Sequence, residues 1–271
     1  MIKHLLYNDR SLSETLIENH DSEASLLSVV IPAYNEEFRL RKTLELLEPV
    51  AQGCIMEVIV VCDGCTDRTR EVALEWTDRL HMQVIAYEQN RGKGYAVRQG
   101  VLAASGDIIA FMDADGSTPP SELVRLMKPL IRKEADIVIG SRKMDGARIQ
   151  RQPLGRHVFG KVFSILPRLL LSLPYQDTQC GFKLFRRNCA RGLFSESRRD
   201  GFEFDLDILY RAEKNRMTIL EVGIQWADQV GSKVMPIRDG LKMMVAMLQI
   251  RMQSSIHYLP PNVMARSYIQ E

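Results

Sequence analysis

The sequence predicts an α/β fold in one domain, built on a central and mostly parallel sheet. A chain of 271 residues buries a full core without disulfides or structural metals. Each of five short Val/Ile-rich runs is too uniformly apolar to be half exposed, which is typical of parallel strands covered on both faces. These strand candidates span 27–31, 55–62, 82–87, 107–112 and 136–139.

Helical patterns separate the strand candidates, at 37–50, 66–80, 92–104 and 121–133. In the second of them Val72, Trp76 and Leu80 recur with helical spacing. Pro119 and Pro120, which follow Thr118, are typical of the start of the fourth. Strand and helix alternate four times, which predicts a doubly wound α/β arrangement.

Composition excludes several classes of protein. The chain is 45% hydrophobic and 26% charged, so it is neither disordered nor fibrous. Lys and Arg outnumber Asp and Glu by 36 to 34, and a net charge of +2 gives no general attraction to nucleic acid. No run reaches the roughly 18 apolar residues of a membrane span, and the first 25 residues lack the apolar core of a signal peptide. We therefore expect a cytoplasmic chain with reduced thiols at Cys54, Cys62, Cys65, Cys180 and Cys189.

Two later segments have amphipathic character. Residues 142–168 hold seven Lys or Arg against one acid, and a leucine-rich run continues to residue 174. This basic segment is either a solvated face or a contact for an anion or a membrane surface. Near the C-terminus an apolar helical stripe is predicted to belong to the core, with a lipid or partner-helix groove as the alternative. It comprises Leu241, Met244, Val245, Leu248, Met252, Ile256 and Leu259.

Polar residues follow four of the strand candidates, at 32–36, 62–67, 113–117 and 140–142. Ligands of a doubly wound sheet bind beyond the carboxyl ends of its strands, so these clusters predict the site. Asp113 and Asp115 are the most informative pair. Two carboxylates one residue apart can hold Mg²⁺ or Mn²⁺ while a diphosphate completes its coordination shell, although a capped turn is the structural alternative.

Cys62 and Cys65 form a CxxC motif, but no second CxxC or paired histidines accompany it, which disfavours a redox or zinc site. The glycines at 92, 94 and 100 do not form a dinucleotide-binding fingerprint. We expect them to make a tight turn that lets backbone approach the ligand.

Beyond these patterns the chain contains the strings VVIPAYNEE, VCDGCTDRT, NRGKGYAVRQG, FMDADGSTPP, GSRK, DTQCGFKLF, GFEFD and EVGIQW with GSK, in this order between residues 29 and 233. They resemble the inverting glycosyltransferases of family 2, which have the GT-A fold. Within that family the chain is most similar to the polyprenyl-phosphate and dolichyl-phosphate glucosyltransferases. The resemblance implies transfer of a sugar, glucose from UDP-glucose, to the phosphate of a membrane polyprenol with a divalent metal.

The resemblance also implies site residues. The metal would bind Asp113 and Asp115, and the nucleotide sugar would contact Pro32, Tyr34, Glu36, Asp63, Lys93, Asp113 and Ala114. The family often has an acid where this chain has Cys62, so base recognition would rest on Asp63. The eukaryotic glucosyl enzymes usually carry an N-terminal anchor that this sequence lacks, so we expect peripheral membrane attachment through the basic segment and the C-terminal stripe.

A phosphate acceptor is already largely ionised at neutral pH and needs no base, but its charge calls for cations beyond the metal. Arg142, Arg156 and Lys233 are the candidates to bind it. Asp177 is the first candidate for a carboxylate that orients the reaction centre or acts as a base, and Asp207 is the second candidate. The alternative for Asp177 is a structural cap.

We divide the chain into an N-terminal extension at 1–25, a transferase domain at 26–235 that includes the basic segment 142–174, and a helical tail at 236–271. A transferase acting on a soluble or glycan acceptor, a nucleotidyltransferase and a silent nucleotide-sugar binding module remain alternatives. The sequence leaves open the donor base and sugar, the length of the lipid and whether the chain forms a homo-oligomer.

Overall fold

The computed structural model describes residues 27–150, 166–229 and 236–253. Within them the strands are β1 (Leu27–Ala33), β2 (Met56–Asp63), β3 (Met82–Tyr87), β4 (Ile108–Met112), β5 (Ile137–Ser141), β6 (Arg148–Gln150), β7 (Phe182–Arg186), β8 (Ile219–Gly223) and β9 (Gln225–Ala227). Seven of these strands make one sheet in the order β3-β2-β1-β4-β7-β5-β8, and β6 pairs with β9 in a second. All neighbours in the large sheet are parallel except β7, which is antiparallel to β4 and β5.

Helices cover both faces of the large sheet. The described helices are α1 (Glu37–Ala51), α2 (Thr69–Leu74), α3 (Lys93–Ala103), α4 (Glu122–Ile131), α5 (Arg187–Glu196), α6 (Phe204–Lys214) and α7 (Pro236–Gln253). Buried residues of α1, α2 and α4 share one apolar cluster with alternate residues of β1, while α3, α5, α6 and α7 share the other. Val29 and Ile31 face the first cluster and Val30 the second, because side chains alternate along a strand. The core therefore lies on both sides of the sheet.

Strand β7 determines which segments meet at the functional edge. It lies between β4 and β5 and runs in the opposite direction, so its first residue, Phe182, pairs with Met112 at the end of β4. The segment that precedes β7 therefore lies beside the carboxyl ends of β4 and β5.

The predicted α/β class and the mostly parallel sheet are confirmed. The expectation that all five predicted strands are covered on both faces is wrong for β3, whose residues are exposed or only partly buried because it is an edge strand. The second helix is shorter than predicted, since α2 ends at Leu74 and turns follow. Trp76 and Leu80 are nevertheless buried, so their spacing correctly identified the inward face.

The assignment of the C-terminal stripe to the core is wrong for its four residues whose side chains the structure describes. Packing of α7 instead buries Met243, Ala246, Met247 and Ile250. The predicted core residues face outward, with Met244 39%, Val245 55%, Leu248 49% and Met252 74% exposed. The side chain of Leu241, together with Ile256 and Leu259, lies outside the described residues. Among the helices of the described ranges, none has both the length and the apolar character that crossing a bilayer requires.

Candidate active site

Four polar clusters lie at the carboxyl edge of the sheet, after β1, β2, β4 and β5. The parallel register of these strands places their ends together, as the sequence predicted. The 177–181 segment before β7 joins them from the antiparallel side. This edge brings together the carboxylates and cations from which the site is built.

Asp113 and Asp115 follow β4 at the centre of this edge. The Asp113 backbone N–H donates to the Gly181 carbonyl at 3.1 Å, and Asp115 Oδ1 accepts a hydrogen bond from the Ser117 N–H at 2.9 Å. A Cβ at Gly181 would lie only 1.9 Å from Asp113 Oδ2, so a side chain there would displace the Asp113 carboxylate. Lys93 Nζ is 2.5 Å from Asp113 Oδ1. The carboxylates are thus held in place and already attract one cation.

The donor set of this pair fits a hard divalent cation. Carboxylate oxygens are the ligands that Mg²⁺ and Mn²⁺ prefer, and Mg²⁺ usually takes one or two carboxylates together with substrate phosphates. Within the part of the chain that the structure describes, no group of three or more His, Cys, Asp or Glu side chains could hold a metal ion. A cation at Asp113 and Asp115 would therefore need oxygen ligands from a substrate or from water.

Asp63 at the end of β2 holds the loop before α3. Its Oδ1 accepts the Arg91 N–H at 2.7 Å, and its Oδ2 accepts the Gly92 N–H at 2.9 Å and the Asn90 side-chain amide at 3.0 Å. Lys93, the first residue of α3, directly follows this loop, so Asp63 also helps to position the ammonium group that pairs with Asp113.

The other predicted donor residues lie around the same edge. Pro32 is partly buried within β1, Tyr34 is 38% exposed just beyond it, and Ala114 is buried between the two aspartates. Glu36 pairs with Arg39 at 2.5 Å. The structure brings these residues to the edge, but Glu36 is engaged in an ion pair.

Asp177 and Arg142, predicted for separate roles, form one ion pair. Arg142 donates from Nε to Asp177 Oδ2 at 2.7 Å, from Nη2 to Oδ1 at 2.8 Å and from its backbone N–H to Oδ2 at 2.9 Å. The guanidinium carbon also lies 5.4 Å from the centre of the Trp226 ring. Burial raises the pKa of Asp177, but the hydrogen bonds and charge of Arg142 outweigh it and hold the pKa below its ordinary value. Asp177 is therefore an anchored carboxylate rather than a strong base.

The remaining predicted residues divide into two groups. Asp207 is buried in α6 and accepts a hydrogen bond from Arg211 Nε at 3.0 Å, one turn further along the same helix. Its neighbour Asp205 instead interacts electrostatically with Lys93 and Asp113. Arg156 and Lys233 lie outside the described residues.

Sequence reasoning missed Lys183 and Asp205. Lys183 lies within β7 and is fully buried, with Nζ 2.5 Å from Asp205 Oδ1 and 2.6 Å from the Cys180 carbonyl. The available signal was a lysine between apolar residues in GFKLF, because a buried lysine requires an anionic or polar partner. The sequence could not show which acid that partner is.

The glycines of the NRGKGYAVRQG string make close contacts with other parts of the chain. A Cβ at Gly92 would lie 2.4 Å from the Asp200 carbonyl oxygen, and one at Gly100 would lie 2.3 Å from Val30 Cγ1. Gly92 also has a φ of +101°. These glycines allow α3 to pack closely on the sheet and on the segment before α6, and their approach to the ligand stays a prediction.

The CxxC thiols contact each other. The Cys62 and Cys65 side chains are hydrogen-bonded, and Cys65 Sγ donates to the Ala33 carbonyl at 3.3 Å. The hydrogen bond from Cys62 lowers the pKa of Cys65 to about 7. All five cysteines are free thiols.

A mostly parallel sheet with two aspartates, one residue apart, at the end of β4 is typical of nucleotide-sugar transferases. The family model "Glycosyl transferase family 2" matches residues 28–194, and the chain belongs to this family. It is 38% identical to the dolichyl-phosphate beta-glucosyltransferase of Drosophila melanogaster over 239 residues, which cover 82% of this chain and 73% of the relative. The human protein of the same name is 34% identical over 266 residues, covering 91% and 81% respectively. The family resemblance read from the motifs is confirmed.

Solved structures confirm the GT-A fold. Glucosyl-3-phosphoglycerate synthase from Mycobacterium tuberculosis, in complex with Mn²⁺, UDP and glucosyl-3-phosphoglycerate, superposes with a TM-score of 0.63 at 22% identity. The match covers 89% of this chain and 82% of that one. At this identity the likeness concerns the fold.

Proposed function

We propose that this glycosyltransferase transfers glucose, with inversion, from UDP-glucose to dolichyl phosphate at a membrane surface. Relatives named for this activity match 82% and 91% of the chain. One structural observation carries the proposal: the Asp113 and Asp115 carboxylates share a sheet edge with Arg142, an arginine fixed by Asp177. The donor diphosphate and the acceptor phosphate are both negatively charged, and this arrangement would let a metal ion bind the first while Arg142 binds the second.

On the donor side, Asp113 and Asp115 would hold Mg²⁺ or Mn²⁺, and Asp63 would position the loop that leads into Lys93. The cation supplies charge stabilisation for the departing diphosphate. Pro32, Tyr34, Glu36 and Ala114 would line the donor pocket around it.

On the acceptor side, an oxygen of the lipid phosphate attacks the anomeric carbon as the bond from that carbon to the diphosphate breaks. A phosphate monoester, with its second pKa near 6, is largely ionised at pH 7, so no proton need be removed. Asp177, whose pKa is lowered by Arg142, is poorly suited to accept one. We therefore assign Asp177 to positioning Arg142, whose Nη1 group takes no part in the pair and remains to bind the acceptor phosphate.

We further propose that the outward apolar face of α7 rests on the lipid surface. Leu169 is 70% exposed in a helical segment at 166–171, and Arg251 of α7 donates to the Leu170 carbonyl. Leu169 and the exposed α7 residues Met244, Val245, Leu248 and Met252 thus belong to two elements in direct contact. This apolar surface, together with the cations that the sequence has in the basic segment, supports the proposed peripheral attachment.

The proposal is tested by incubating the purified chain with radiolabelled UDP-glucose and dolichyl phosphate in detergent. We expect Mn²⁺-dependent formation of a glucosylated lipid, with little product from GDP-mannose or from unphosphorylated dolichol. As a control for the loss of one carboxylate, Asp107→Asn alters an acid that pairs with Arg187 before β4, and it should leave product formation unchanged. Binding of UDP-glucose without turnover would favour the silent binding module, and glucose transfer only to soluble glycans would favour the other acceptor class.

A further inference from the structure

A buried ion pair lies directly behind the metal-binding edge. Lys183 and Asp205 are 1% and 4% exposed, and their charged atoms are 2.5 Å apart. Burial raises the pKa of Asp205 above its ordinary value, because it outweighs the opposing effect of the Lys183 and Lys93 charges. Protonating Asp205 would leave Lys183 buried without a counter-charge, so we treat the pair as ionised.

Lys93 pairs with Asp113 of the proposed metal site and also interacts electrostatically with Asp205 of the buried pair. Its ammonium contacts Asp113 at 2.5 Å, and Asp113 and Asp205 are the two carboxylates that attract it most strongly, ahead of Asp115. Backbone packing explains the proximity of Asp205. A Cβ at Gly94, next to Lys93, would lie 2.7 Å from Phe204 Cβ, next to Asp205.

A divalent cation on Asp113 creates a conflict with Lys93. Both would use the same carboxylate, and like charges a few ångströms apart repel. A lysine held by Asp113 alone would then be displaced. Asp205 is a second anion that attracts Lys93, and it is buried in α6.

We propose that Asp205 is a positioning residue that retains the Lys93 ammonium in the donor site when Asp113 binds the divalent cation. Lys183 in turn holds Asp205 in place from the side of β7. Lys93 and the cation can then face the diphosphate together. This inference rests on the proposed nucleotide-sugar function and extends it to a residue of α6.

The test is a double-mutant cycle read by binding. The affinity for UDP at saturating Mn²⁺ is measured by calorimetry for the unsubstituted chain, Asp205→Asn, Lys93→Met and the double variant. We expect Asp205→Asn to weaken UDP binding about tenfold when Lys93 is present and less than about twofold in the Lys93→Met background. Glu122→Gln, which removes a carboxylate of equal burial paired with Arg125, should leave UDP affinity unchanged.

An equal loss in both backgrounds would overturn the proposal, because Asp205 would then act without Lys93. If Asp205→Asn fails to fold, the paired variant Asp205→Asn with Lys183→Met removes both buried charges and enters the same cycle. Failure of both to fold would make Asp205 structural and would also overturn the proposal. If the unsubstituted chain does not bind UDP in the presence of Mn²⁺, this inference and the metal assignment both fail. The transfer assay tests the proposed function separately.

Discussion

Replacing Arg142 with alanine should impair use of the lipid phosphate and spare binding of the nucleotide. Arg142 is anchored on both oxygens of Asp177, so its orientation is set before any acceptor arrives. A contact between a guanidinium and an ionised phosphate contributes about 1.5 to 3 kcal/mol. At about 1.4 kcal/mol for each factor of ten, kcat/KM for dolichyl phosphate should fall roughly tenfold to a hundredfold.

The same substitution has a structural cost that must be separated from the functional one. Asp177 is 3% exposed, and removing its partner leaves a buried charge that destabilises the fold by about 3 to 5 kcal/mol. The paired variant Arg142→Met with Asp177→Asn removes both charges. It should recover much of the thermal stability without recovering activity toward the lipid.

The assay compares KM and kcat for dolichyl phosphate with the dissociation constant of UDP measured without acceptor. Arg186→Ala is the matched control, because Arg186 pairs with Asp136 at 3.8 Å at the opposite end of β7. The reasoning is refuted if Arg142→Ala weakens only UDP binding, or if the paired variant regains transfer together with stability.

Three further results are expected. Asp115→Asn or EDTA should reduce turnover roughly a hundredfold or more, since each removes several kcal/mol of charge stabilisation, and turnover unaffected by EDTA would exclude the metal. Leu248→Glu should reduce co-sedimentation with anionic vesicles, whereas Leu220→Glu, at a leucine of β8 that is 40% exposed against 49% for Leu248, should not; equal losses would contradict contact through α7. Iodoacetamide should label Cys65 faster than the other thiols, at a rate that rises through about pH 7; in Cys62→Ala, which lacks the hydrogen-bond donor, this rise should move to higher pH, as measured by mass spectrometry.

Local patterns were sufficient to predict the alternation of strands and helices and the polar strand ends. Runs such as VVI in β1 are apolar throughout, and only a strand covered on both faces buries every residue of such a run. Parallel strands place their carboxyl ends at one edge, so Asp63 and Asp113 could be assigned to a common site before any distance was known.

Pairings between distant residues required the folded chain. Arg142 and Asp177 are 35 residues apart and Lys183 and Asp205 are 22 apart, and both pairs exist because β7 inserts antiparallel between β4 and β5. No short-range pattern encodes that insertion.

The sequence alone also could not decide which face of helix α7 is buried. Its sequence has apolar residues at helical spacing on two faces, one through Met243 and Met247 and the other through Met244 and Leu248. Periodicity identifies both faces equally well. Packing against α6 buries the first face and leaves the second outward. Which face is buried depends on the position of the neighbouring elements rather than on the sequence of the helix itself.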